Sequence, residues 1–148
     1  MSTKGVERGA ARRFSLRVRV FDDGFGFRYE VPQQPGYGAV NISDELTEFR
    51  LDQKQSVTAW WIPGRRYNRY EYLYNTTPLR EVGQVHTPMT VRTKDGLFLS
   101  FHEAALVDYS SMWLRRVENQ RLKAQLSPSA EGWKVQRTLP FETPWRTI

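Results

Sequence analysis

Large apolar side chains recur at every second position between residues 14 and 31, first as Phe14, Leu16, Val18 and Val20, then as Phe25, Phe27, Tyr29 and Val31. Successive side chains of an extended backbone point to opposite faces, so this spacing predicts two half-buried strands. Asp22-Asp23-Gly24 between them supplies the turn, because Asp tolerates left-handed backbone and Gly prefers it. The other faces carry Ser15, Arg17 and Arg19 in the first strand and Gly26, Arg28 and Glu30 in the second, and Pro32 ends the run. A second hairpin follows the same logic: Thr90–Thr93, the turn Lys94-Asp95-Gly96, then Leu97–His102.

Shorter strand candidates are Ala39–Ile42, Phe49–Leu51, Thr58–Ile62, Tyr70–Tyr74, Trp113–Val117, Arg121–Leu126 and Trp133–Leu139. Turn signals separate them at Pro35-Gly36, Pro63-Gly64, Glu118-Asn119, and from Ser127-Pro128 through Gly132. Many short strands at such spacing predict an all-β fold, an antiparallel β-sandwich with little helix. Asp44–Phe49 is the one helical candidate, a single turn capped by Ser43 or Asp44. A length of 148 residues suits one domain. Residues 1–12 read as a flexible leader and 13–148 as the sandwich. The last six residues, Thr143 to Ile148, keep a strand-like mixture to the end. That ending predicts a divided polypeptide, or partner strands in another chain and self-association through exposed strand edges.

Charge and composition narrow the function classes. The net charge of +6 suggests a polyanion partner, yet the first twenty residues hold six basic side chains against one acid. The remainder carries 16 basic and 15 acidic side chains, so the body is close to neutral and a nucleic-acid partner is not expected. No apolar run approaches the roughly 18 residues of a membrane span, and Met1-Ser2-Thr3-Lys4-Gly5 has no apolar signal-peptide core. The absence of cysteine removes disulfides, thiolate metal sites and cysteine nucleophiles.

Two segments carry chemistry. Trp60, Trp61, Tyr67, Tyr70, Tyr72 and Tyr74 form the densest aromatic stretch, suited to stacking on sugar faces or to filling a core. Arg65, Arg66 and Arg69 lie among them. The strand Leu97–Phe101 runs into His102-Glu103-Ala104-Ala105-Leu106, and alternation sets Glu103 on the face of Leu97, Leu99 and Phe101. A carboxylate there is costly unless it pairs with a cation, reaches water or meets an arginine. Glycoside hydrolysis needs two carboxylates about 5–9.5 Å apart. Glu103 and Asp108 are the nearest candidates, but five residues put them on opposite faces of a strand. No nucleophile elbow, zinc-binding His-Glu-x-x-His or phosphate loop is present, so no catalytic residue is assigned.

Six stretches in order make the chain resemble the N-terminal domain of glycoside hydrolase family 97, a bacterial α-glucosidase and α-galactosidase family. They are Phe21-Asp22-Asp23-Gly24 with Phe27-Arg28-Tyr29-Glu30, then Asp44-Glu45-Leu46-Thr47-Glu48-Phe49, then Tyr70-Glu71-Tyr72-Leu73-Tyr74. Thr87-Pro88-Met89-Thr90, His102-Glu103-Ala104-Ala105-Leu106 with Asp108-Tyr109, and Thr143-Pro144-Trp145-Arg146-Thr147-Ile148 complete the set. The resemblance implies a galactose mutarotase-like super-β-sandwich, here the later part of it, in an enzyme with a catalytic (β/α)₈ barrel and a small C-terminal β domain. It implies a non-catalytic domain whose carboxylate, carried onto Glu103, joins an active-site calcium; carbohydrate and the missing barrel are the implied partners. For the parent family it implies a periplasmic or secreted location. Two other readings stay open: a stand-alone lectin-like module using the aromatics of residues 60–74, and a small hydrolase active as an oligomer.

Overall fold

The computed structural model describes residues 12–52, 56–118 and 120–148. Residues 1–11 of the expected leader and Asn119 of the expected turn lie outside them. Its strands are β1 (Ser15–Phe21), β2 (Gly24–Val31), β3 (Ala39–Ile42), β4 (Glu48–Arg50), β5 (Val57–Trp61), β6 (Asn75–Pro78) and β7 (Gln84–His86). They continue as β8 (Met89–Thr93), β9 (Phe98–Ala104), β10 (Met112–Val117), β11 (Arg121–Leu126), β12 (Val135–Thr138), β13 (Phe141–Glu142) and β14 (Trp145–Thr147). One 3₁₀ turn spans Leu79–Glu81.

An eight-stranded antiparallel sheet runs β1-β2-β14-β9-β8-β5-β6, with β13 also on β2. A four-stranded sheet, β4-β11-β10-β7, packs against it, and β12-β3 forms a separate ribbon. Both expected hairpins form: β1 pairs with β2 from Ser15 opposite Glu30 to Phe21 opposite Gly24. The turn joining β8 to β9 closes with the Thr93 N–H donating to the Leu97 carbonyl at 2.9 Å. Gly96 takes φ of +94° there, backbone that a side chain would strain.

The all-β sandwich is as expected, and its core lies between the two larger sheets. Ala59, Met89, Val91 and Phe101 face inward from the first, and Phe49, Met112, Leu114, Leu122, Ala124 and Leu126 from the second. Phe49 and Phe101 meet across the layers with ring centroids 5.2 Å apart. Gly64 permits a close approach, since a Cβ there would lie 2.7 Å from the Trp113 ring.

Several expectations need correction. The first strand is exposed rather than half-buried, with Leu16, Val18 and Val20 at 55%, 52% and 78% exposure. It is the edge of the wide sheet, and the narrow sheet ends at β4, which reaches only as far as the Phe27–Phe49 contact of 6.2 Å below β2. The helical turn at Asp44–Phe49 is extended chain instead. Glu45, Thr47 and Phe49 alternate inward, and the Thr47 carbonyl accepts the Ala124 N–H. Tyr70–Tyr74 is not a strand; its local bonds, such as Tyr72 N–H to the Tyr70 carbonyl, are those of a turn. The partners of the final strand lie within this chain, because β14 is internal, between β2 and β9.

The packing sets a mutational contrast. Phe101→Ala is expected to lower the unfolding free energy by about 3–5 kcal/mol through lost burial and a residual cavity. Val18→Thr on the exposed edge is expected to change it by less than about 0.5 kcal/mol. Urea denaturation of the two variants measures both, and comparable losses would contradict the exposure of β1.

Candidate functional site

Glu103 occupies the inner face of β9, as its alternation with Leu99 and Phe101 requires, and is 7% exposed. The burial is made possible by two donors. The Met112 N–H donates to Oε1 at 2.9 Å, and Arg146 Nη1 donates to Oε2 at 2.8 Å. Arg146 stands directly opposite Glu103 in the β14–β9 register and has no solvent exposure. Its other side is held by Glu45, whose carboxylate accepts from Nε at 2.9 Å and from Nη2 at 2.6 Å. The Tyr109 ring lies 6.0 Å from the guanidinium carbon.

The electrostatics follow from desolvation. Burial pushes the Glu103 carboxyl above its ordinary value, against the opposing pull of the Met112 N–H and the Arg146 charge. Burial works to lower Arg146, but its hydrogen bonds to Glu45 and the two carboxylate charges outweigh it and raise the guanidinium. Tyr109 is likewise pushed up, chiefly by burial and then by Glu45. Two acids share one buried cation, and burial makes Glu103 reluctant to ionise.

Calcium takes six to eight oxygen ligands that must turn toward the ion. Both Glu103 oxygens already accept hydrogen bonds, and a guanidinium sits 2.8 Å from one of them. No three His, Asp or Glu side chains gather around a common point among the described residues. As the chain is folded, the residues around Glu103 do not fit the calcium role that the resemblance carries to it. Asp108 is far more exposed and lies 3.6 Å from Arg137, so it forms no facing acid pair with the buried Glu103.

The aromatic stretch is split by the fold. Trp60 stacks with Phe98 at 6.0 Å, while the Trp61 indole N–H donates to the Thr77 hydroxyl at 3.1 Å. Tyr67 packs on Trp113 at 4.5 Å, and Tyr70 stacks on His86 at 3.9 Å. Arg69 lies over Tyr72 and near Glu71, whose side chain is largely exposed. These rings therefore serve several neighbours and present no continuous platform. A groove of about 330 Å³ lies elsewhere, at the β1–β2 turn, lined by Arg19, Phe21, Phe25, Ala104 and Trp145.

Comparison with known proteins now bears on this geometry. A family model described as glycosyl-hydrolase 97 N-terminal matches residues 2–148. The chain belongs to glycoside hydrolase family 97. It is an N-terminal domain of that family. A family 97 enzyme from Pseudoalteromonas sp. strain K8, solved in complex with acarbose, matches with a TM-score of 0.86 and 50% identity. A substituted form of a family 97 enzyme from the same strain, in complex with panose, gives the same values. Each match covers 90% of this chain and 20% of the other, so the chain spans about a fifth of the length of these enzymes.

Arg146 and Glu45 were not singled out from the sequence as partners of Glu103. The final strand carried half of the signal: Arg146 alternates with Pro144 and Ile148 and so shares their inward face, while its pairing with β9 is not written in that period. A buried acid is costly unless it is paired, and an inward-facing arginine is a natural partner.

His86, fully buried in β7, gives this family 97 domain a pH-sensitive group. Its Nε2 donates to the Arg69 carbonyl at 2.8 Å, and burial holds the imidazole below its ordinary value while that bond opposes the shift. The unfolded chain therefore takes up the proton first, and stability present above about pH 6.5 is lost as pH falls toward the folded-state value. Glu103 has the opposite sign: its raised value makes its term grow as pH falls through the folded-state value. Melts between about pH 7.5 and about pH 5 are expected to show the acid-side fall in Tm reduced in His86→Phe. An unchanged slope in that variant would assign the fall to other groups.

Proposed function

We propose that this chain is the non-catalytic β-sandwich of a family 97 glycoside hydrolase that acts on α-linked glucosides or galactosides. In this reading it shapes the sugar site together with a catalytic (β/α)₈ barrel carried on the rest of the enzyme. The observation that carries the reading is the match to enzymes solved with acarbose and panose, of which this chain covers one fifth at 50% identity. The residues support a scaffold role. Among the described residues the buried carboxylates Glu45 and Glu103 both pair with Arg146, and the space between the layers is filled by apolar side chains. The calcium implied by the resemblance has no part in the proposal at Glu103, whose two oxygens each accept a hydrogen bond within the chain.

A stand-alone lectin-like module gains no support from the aromatics of residues 60–74, which are divided among separate contacts. The proposal is tested with the pure chain and with a chimera in which it replaces the matching segment of the Pseudoalteromonas enzyme. The chain alone is expected to release no nitrophenol from nitrophenyl α-glucoside above the blank. The folded chimera is expected to keep hydrolysing it. Turnover by the isolated chain, or a folded but inert chimera, would overturn the reading.

A further inference from the structure

We propose that Glu103 is the second counter-ion of Arg146 and gives no oxygen to a metal ion, so that Glu45, Arg146 and Glu103 form a charge lock holding β14 between the two layers. The lock stands on placement. Glu103 and Arg146 face each other across β9 and β14 of the wide sheet. Glu45 reaches the same guanidinium from the extended segment that leads into β4 of the narrow sheet, 101 residues earlier in the chain. Oε1 of Glu103 also accepts the N–H of Met112, the first residue of β10, so this one carboxylate ties both sheets.

Each Glu103 oxygen accepts a hydrogen bond, and Oε2 does so from a buried guanidinium. The guanidinium uses Nε and Nη2 on Glu45 and Nη1 on Glu103, the fork geometry in which arginine binds carboxylates best. A divalent ion at Glu103 Oε2 would stand beside that guanidinium, where like charges repel with little water to screen them. The two roles predict opposite behaviour when Arg146 is removed. A counter-ion left behind becomes an unpaired buried charge and a liability, so neutralising it helps. A metal ligand gains nothing from the loss of Arg146.

A double-mutant cycle on the 148-residue chain separates them, with Tm read by calorimetry in EDTA and in calcium chloride. Arg146→Met is expected to lower Tm by roughly 10 °C, the scale of a broken buried pair in a domain of this size. Adding Glu103→Gln to it should recover part of that loss, although Glu103→Gln alone does not stabilise the otherwise native chain. The Tm change on adding calcium should be the same in the unsubstituted chain and in Glu103→Gln. Additive substitutions, or a calcium-induced gain lost only in folded Glu103→Gln, would overturn the proposal. If Arg146→Met does not fold, Arg146→Met/Glu45→Gln/Glu103→Gln decides. Native circular dichroism of that triple variant supports the lock, and its failure to fold overturns it.

Discussion

A guanidinium with no access to water sits at the junction of the two sheets, and its charge must be answered by acids brought from distant parts of the chain. Glu45 lies 101 residues from Arg146 and Glu103 lies 43, so neither contact is local. A buried ion pair of this kind contributes little net stability over well-packed apolar groups, but removing one partner is costly, of the order of 3–5 kcal/mol. That asymmetry makes it a constraint on arrangement. A one-residue slip of β14 would turn Arg146 outward and leave both carboxylates buried without a cation. The lock therefore specifies register for a three-residue strand that backbone bonds alone would hold weakly, and that strand joins β2 to β9.

Once β14 is fixed, the shape of the sandwich follows. The wide sheet carries β1 and β2 beyond the last strand of the narrow one, which is why the apolar residues of β1 stay in view of solvent. The inner side of β2 is partly served by Phe27 against Phe49 and by the Tyr29 hydroxyl, which meets that of Thr47 at 2.9 Å. Further along the sheet, the core closes fully around Met89, Phe101, Met112 and Leu114.

The strands with several alternations were legible in the sequence, because each added residue confirms the period: β1, β2, β9 and β11 lie within two residues of their expected bounds. The three-residue β7 and the two-residue β13 offer too few repeats to stand out, and β6 ends in a proline. Tyr70 to Tyr74 misled for the converse reason. Their alternation is genuine, but Tyr70 is drawn onto His86 and the backbone closes local turns before resuming as β6 at Asn75. The burial of Glu103 was readable from its strand face. Its partner was not, because a cross-strand pair depends on which strands become neighbours, and period two carries no information about that.

Where this domain can touch a sugar is limited by the same packing. The interior between the sheets is filled, and its polar side chains include Arg146 with its two acids and Thr87, whose hydroxyl donates to the Met112 carbonyl at 3.0 Å. Carbohydrate recognition needs exposed hydroxyl partners and ring faces, so the proposed contribution to a sugar site must come from the periphery. The extended loop of residues 65–74 is the richest such region, with Tyr67, Tyr70 and Tyr74 exposed beside three arginines and Glu71. Tyr67 and Tyr70 brace the loop on Trp113 and His86, residues opposite each other in the β10–β7 register. A rigid sheet thus positions an irregular, polar-tipped loop, the arrangement by which scaffolds generally present functional side chains.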